Sequence, residues 1–273
     1  MPSALDPQDI FGTDDQQMLL RRGMALYALV AGDPRYTYYG RTVGLATLDG
    51  DDVDPLLALA RLQGNSNVSS VPEAAADALQ DAVTERGFAP VRYNKWEAGP
   101  AAIETARKTL AARDVPEGVS VAVVDADTTP ERMGRFADLA LAAGVLPPCG
   151  AVLRAAIQPA VCVLALDRDD RVVACAAAAA FADRDHATLG GQAWWGMLAT
   201  DPAWRGHGLA AILGARAIVG LADGFGFHRF MTGVEPGNIA SETVTARMGF
   251  AREGRVIIGV ADPSVLRSGR MTK

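Results

Sequence analysis

The sequence predicts an α/β fold, and three observations carry that expectation. Residues 194–222 read as a strand, a glycine-studded turn and a helix; residues 160–181 read as a hairpin; and residues 230–257 run through strand, turn, helix and strand. In the first of these, an apolar run over residues 194–199 has the length and bulk of a buried strand, and Thr200, Asp201 and Pro202 stop it.

Taken in order, residues 14–31 have the spacing of one amphipathic helix. A polar, tyrosine-bearing strand or turn region follows at 36–48, and Asp49, Gly50, Asp51 and Asp52 form a loop. Residues 55–62 read as a short helix with Pro55 in its first turn, 63–70 as a polar turn and an extended piece, and 72–86 as a helix capped by Gly87. A strand at 88–96 and a helix at 98–113 complete the first part. The linker at 114–118 places a boundary there, giving an N-terminal α/β domain over 1–115 and a second domain over 116–273.

The second part begins with a strand at 119–126 and a helix from Pro130 to about residue 143, with Thr129 as its cap. Residues 145–157 read as a proline-interrupted helix, 160–166 and 172–181 as the hairpin, and Asp183, Asp185 and His186 sit in the loop before the central strand. Asn238 occupies an N-cap position before a helix over 239–248, Gly249 stops it, and 254–261 is the last strand.

The chemistry points to the glycine turn, Arg205-Gly206-His207-Gly208-Leu209-Ala210. Glycines at 206 and 208 remove the Cβ atoms that would hold a ligand off the backbone, and the first helical amides present unpaired N–H groups. With the helix dipole and Arg205 added, a phosphate or pyrophosphate is the expected guest. The spacing is neither a P-loop nor G-x-G-x-x-G. It resembles the R/Q-x-x-G-x-G/A motif of the GCN5-related N-acetyltransferases, which binds the pyrophosphate of acetyl-CoA. The run from Asn238 through Ser241 to Ala246-Arg247-Met248-Gly249-Phe250 looks like that family's second block, whose Asn and helix line the pantetheine arm.

The resemblance covers about residues 119–262 and implies a mixed, mostly antiparallel central sheet flanked by helices, with acetyl-CoA as co-substrate and no metal. It implies cofactor contacts from Arg205, Gly206, His207, Gly208, Leu209, Ala210, Asn238 and Ser241. By position, it also implies that the amides of Leu198, Ala199 and Thr200 polarise the thioester where the central strand splays from its neighbour. His207 stands at a variable position, so its backbone rather than its imidazole is expected at the phosphate. A tyrosine that serves as general acid in many family members falls here on Thr245, and all five tyrosines (27, 36, 38, 39 and 93) precede the second domain. Ser241, Thr245, a water or a tyrosine reaching in from the first domain would then serve. Glu235 is the candidate base, against the alternative of a solvated turn residue before Pro236; Asp201, Asp183 and Asp185 are weaker candidates. Trp194, Trp195 and Trp204 read first as core and rim packing, with Trp195, near the middle of the strand, as the alternative that would face an acceptor.

Residues 81–96 lie over residues 242–257 through V-T-x-R and G-F-A, apart from one extra residue, Met248. Either the first domain is a decayed partial copy of the second, or two helix-to-strand joins share a common Gly-Phe solution.

Composition sets the limits. A chain of 273 residues that is 49% apolar and 21% charged is globular, and its net charge of −6 disfavours nucleic acid or an anionic membrane as partner. Three cysteines without paired spacing suggest neither a disulfide framework nor a zinc site. The signal-like residues 21–31 follow Asp6, Asp9, Asp14 and Asp15 and end at Asp33-Pro34, so a packed helix and a cytoplasmic protein are expected. The expected activity is acyl transfer, acetyl by default, to a small-molecule primary amine or a protein N-terminus or lysine, by direct attack in a ternary complex. The charge leans slightly toward a cationic acceptor. A non-catalytic CoA-binding or sensing module is the alternative, and a homodimer closing the acceptor pocket in trans is a third reading.

Overall fold

The computed structural model describes residues 9–50 and 52–266; Asp6 and Asp51, used above, lie outside them. Helix α1, Asp14–Val30, starts at a capping box in which Thr13 and Gln16 satisfy each other's backbone, and it buries Leu19, Leu20 and Met24. Strands β1 (Tyr36–Thr37) and β2 (Gly44–Leu45) are two residues each. Then come α2 (Asp54–Gln63), β3 (Asn65–Pro72), α3 (Ala76–Glu85), β4 (Ala89–Ala98) and α4 (Pro100–Ala112). Beyond the linker lie β5 (Ser120–Val123), α5 (Pro130–Ala142), α6 (Gly150–Leu153), β6 (Ala160–Leu166), β7 (Val172–Ala180) and β8 (Gln192–Thr200). Helix α7 (Leu209–Phe225), β9 (Arg229–Val234), α8 (Ile239–Arg247) and β10 (Ala251–Ala261) complete the order.

One expected element is much shorter than the sequence suggested. The helix anticipated over 145–157 is helical only in the four residues of α6. Pro147 and Pro148 steer the residues before them out of the helical region, and Ala155 at φ 55° ends the turn. The segment at 72–86 opens with a single 3-10 turn, Glu73–Ala75, before α3.

The ten strands of the described residues form one sheet, in the order β1-β2-β3-β10-β4-β9-β8-β7-β6-β5. Pairing is antiparallel except at β2–β3 and β8–β9. The alanine-rich β7 is buried along both faces: Ala174, Ala176 and Ala178 pack with α7, while Cys175, Ala177 and Ala179 join the core beneath α5 and α1. Small side chains there let α7 lie close to the strand and set the depth of the site that α7 begins.

The 115/116 boundary divides the sequence but not the sheet. Strand β4, from the first part, lies between β9 and β10 of the second, pairing Lys95 with Gly233 on one side and Tyr93 with Ile257 on the other. Strand β10 in turn pairs with β3, as Val256 opposite Val71. Two segments, β3-α3-β4 and β9-α8-β10, share one order of elements. In each, a glycine of positive φ (Gly87, Gly249) precedes a buried phenylalanine (Phe88, Phe250). The sixth residues after these phenylalanines, Asn94 and Val256, face each other across the β4–β10 ladder. Equivalent positions therefore meet, as an approximate two-fold would require.

Without β4, strands β9 and β10 would each expose an apolar edge, the usual template for aggregation. Residues 116–273 expressed alone should therefore sediment as aggregates or give an unfolded far-UV spectrum, and residues 1–115 supplied in trans should restore a soluble complex. A folded monomeric fragment would show that β4 is dispensable.

Candidate active site

The site begins where β8 leaves β9. The two strands pair only at Gln192–Arg229, Ala193–Phe230 and Trp194–Met231. Past that point β9 follows β4, with Thr232 opposite Trp96 and Val234 opposite Asn94, while β8 follows β7. A bulge lies at the parting: the β7–β8 register shifts between Cys175 and Ala177, and Met197 takes φ 60°. That left-handed conformation costs about 1–2 kcal/mol in a non-glycine residue. Burial pushes the Cys175 thiol up to about 12, so it stays protonated and donates to the Met197 carbonyl at 3.1 Å. A trans peptide points its N–H opposite its carbonyl, which turns the Leu198 amide away from Cys175. The Asp201 N–H donates to Val173 on β7 at 2.8 Å, and strand alternation then aims the amides of Thr200 and Leu198 into the gap. Ala199 is buried, opposite Cys175 in the β7 ladder, so of the expected trio Leu198 and Thr200 face the gap and Ala199 does not.

Beyond β8, Asp201 accepts from the Ala203 amide and caps a 3-10 turn, Pro202–Trp204. The glycine turn follows, with Gly206 at φ 83° and Gly208 at φ 78° as the N-cap of α7. A Cβ on Gly206 would meet open space. Among the described residues, the amides of residues 206–211 donate to no protein acceptor. Arg205 is exposed and reaches the Thr200 carbonyl, and the His207 ring sits against the carbonyls of Trp204 and Arg205, so its imidazole serves the turn. A second cation stands beside the turn: Arg113, the C-cap of α4, lies with Nη1 3.0 Å from where a Cβ on Gly208 would be. Linear spacing gives no sign of it. An array of free amides on a helix start, flanked by Arg205 and Arg113, fits a pyrophosphate.

Across the gap, Asn238 caps α8 by accepting from the Ser241 amide at 3.2 Å. Ser241 and the buried Thr245 lie one turn apart on that helix, and Glu235 follows β9; all four line a cavity of about 280 Å³ that runs through the splay. Asp183 accepts from the Asp185 amide in its own loop, and neither lines the cavity. His186 accepts from the amides of Thr188 and Leu189, a structural role.

The N-terminal part supplies much of the opposite wall. Tyr39 and Tyr93 both line the cavity. Tyr39 stacks on Trp194 at 4.6 Å, and the Arg41 guanidinium lies over both rings, 5.3 and 5.5 Å from their centroids. Trp195 takes the packing role expected first for it and not the acceptor-facing alternative. Its ring stacks on Phe250 at 4.9 Å and donates to the Gly214 carbonyl, which ties β8 to α7. Gly196 follows from this packing, since a Cβ there would stand 2.6 Å from the Trp194 ring.

At the closed end of the splay, Gln192 on β8 donates to Glu97 on β4 at 2.7 Å, across β9. Glu97 also faces the wholly buried Lys95 ammonium at 3.1 Å, a charge contact outside hydrogen-bond angles. Burial lowers the Lys95 pKa, opposed by Glu97.

The site is thus a bulged strand parting from a parallel neighbour, followed by a glycine turn and a helix. Residues 136–250 match the family described as "Acetyltransferase (GNAT) family". The chain is also similar in fold to a GCN5-related N-acetyltransferase from Kribbella flavida, at 19% identity over 90% of this chain and 96% of that one, with a TM-score of 0.54. It is similar to a GCN5-related N-acetyltransferase-like protein from Streptococcus suis, at 14% identity over 83% and 82%, TM-score 0.52. A functionally unknown conserved protein from Staphylococcus epidermidis gives 10% identity over 86% and 96%, TM-score 0.51. Among curated proteins none matches by sequence. These likenesses extend through the N-terminal part, so the shared fold is larger than the region matched by the family. No helix among the described residues is long and apolar enough to cross a membrane.

Replacing Glu97 by Ala would leave the Lys95 charge buried without its partner, a loss of about 3–5 kcal/mol in denaturant unfolding at neutral pH. Because the Lys95 pKa is lowered in the fold, the penalty is full below that lowered pKa wherever Glu97 of the wild type is ionised, since both states then hold the lysine proton. It should fade as pH rises toward the ordinary lysine value of 10.5, where the unfolded chain also releases it.

Proposed function

We propose that the protein transfers an acyl group, acetyl by default, from acetyl-CoA to a primary amine by direct attack in a ternary complex. The observation that carries this reading is the row of free amides at residues 206–211, continued by the splay and its bulge. Bound acetyl-CoA would supply an activated thioester. The turn, Arg205 and Arg113 would hold its pyrophosphate, and the Asn238–Ser241 face of α8 its pantetheine arm. The amides of Leu198 and Thr200 would stabilise negative charge gathering on the thioester oxygen.

Glu235, at the mouth of the splay, is the proposed base for the incoming ammonium. Thr245 is buried, and its hydroxyl is a weak proton donor. Tyr93, on the strand inserted beside β9, is the better candidate for protonating the departing thiolate, which would make the N-terminal part a contributor to chemistry. We regard that part as a reduced copy of the GNAT unit, on the shared order of elements and the matched Asn94–Val256 pair. The threonine in place of the usual tyrosine favours a sensing module as the second reading; binding of acetyl-CoA with no turnover of any amine would support it.

Calorimetric titration with acetyl-CoA should show saturable binding. It should weaken by about 100-fold or more in Gly208→Val, because valine resists φ 78° and its side chain would fill the anion site. A melting curve checks that the variant is folded, and absence of binding by folded wild-type protein would end the enzymatic reading. Tyr93→Phe should lower kcat by about 100-fold with the KM for acetyl-CoA unchanged. An unchanged kcat would return the acid role to Thr245, Ser241 or water.

A further inference from the structure

Among the described residues, the cavity wall holds a cation, Arg41, with no carboxylate partner. Arg41 is only 7% exposed, lies beside the stacked pair of Tyr39 and Trp194, and lines the cavity. Of its five N–H donors, Nη1 gives one hydrogen bond to the Tyr39 hydroxyl at 3.3 Å and Nη2 a weak one to the Met197 sulfur at 3.6 Å, while Nε is buried with no partner. Among the described residues no carboxylate pairs with it. By contrast Lys95 and Arg154, also largely buried, each face a carboxylate. The position is enforced: Gly23 of α1 admits the backbone of residues 41 and 42 so closely that any Cβ there would clash with the Arg41 carbonyl. Asn65 and Asn67 of β3 add polar groups to the same wall.

A buried guanidinium against two aromatic rings, with donors left unpaired in the wall of a small cavity, is suited to receive a planar anion from outside the chain. It stands beside Met197, the bulge residue, within reach of the place where the amine would attack. We infer that the acyl acceptor is a primary amine that carries a carboxylate, an amino acid or a compound of that kind, and that Arg41 binds the carboxylate. The inference rests on the acyltransferase reading and reverses the slight lean of the net charge toward a cationic acceptor. The whole-chain charge is diffuse and screened, whereas the acceptor meets the local field of one desolvated arginine.

The test compares free amino acids, including β-alanine, with their carboxamides in a thiol-release assay, using wild type, Arg41→Gln and Arg41→Lys. Acids should be preferred by about 100-fold in kcat/KM. Arg41→Gln should remove that preference by raising the KM for acids alone, with the KM for acetyl-CoA unchanged. Arg41→Lys, which keeps the charge and loses the planar fork, should fall between, and it decides the matter if the glutamine variant melts early. Equal use of acids and amides by wild type, a kcat loss shared by both classes in the variants, or a preference for phosphoethanolamine over every carboxylate would each overturn the assignment. Calorimetry with N-acetyl amino acids and their amides, with and without CoA, reads the same site without turnover. Acetyl-CoA binding with no discrimination between acid and amide removes this inference alone, whereas failure of acetyl-CoA binding removes the acyltransferase reading and leaves the carboxylate titration to judge Arg41.

Discussion

The rest of the structure depends on where β4 lies. A strand paired on both sides must satisfy two ladders at once, and β4 does so between β9 and β10, strands more than 130 residues away in sequence. Because β9 is held by β4, it does not follow β8 beyond Trp194, and a gap opens where the bulged β8 turns its amides outward. The insertion also carries Tyr93 to the cavity wall and brings Glu97 into contact with Gln192 across β9. The splay is thus kept open by pairing elsewhere rather than by weakness in its own strands.

The β8 bulge is the second constraint, and its strain is local. A non-glycine residue in the left-handed region survives only where its surroundings overdetermine it. Here the Cys175 thiol fixes the Met197 carbonyl, Trp195 is tied to Gly214, and Gly196 leaves room for the Trp194 ring. Three side chains with no chemical role hold the peptide groups on which the proposed chemistry relies.

Much of this was legible in the sequence, and the limits have physical causes. Element order in the second part followed from periodicity, caps and turn residues, because Thr129, Asn238 and Gly249 act within one turn of the positions they terminate. The glycine turn was readable because anion binding by backbone needs residues lacking a Cβ at close spacing. The overlay of residues 81–96 on 242–257 pointed to two related helix-to-strand joins, but no linear pattern says that one strand will cross into the other half. Tyr93 and Arg113 reach the site through that crossing, and Tyr39 and Arg41 through the segment bonded to Cys149 and Phe181, so reading the second domain by itself could not have found them. Which tryptophan stacks on Tyr39 and which on Phe250 was not legible for a simpler reason: adjacent residues on a strand face opposite sides, and the bulge obscures which side each takes.

The exchange of strands has a consequence for how the chain is made. When β3, α3 and β4 leave the ribosome, neither β9 nor β10 exists, and at about 5–20 residues per second the wait for residue 261 is on the order of 10–30 s. During that interval Val68, Val71 and the β4 edges lack the partners that bury them in the finished sheet. Nascent chains are therefore exposed to pairing with one another, and chaperone capture of the N-terminal part has its natural window there. The same connectivity that builds the cavity delays its assembly until almost the whole described sequence has been synthesised.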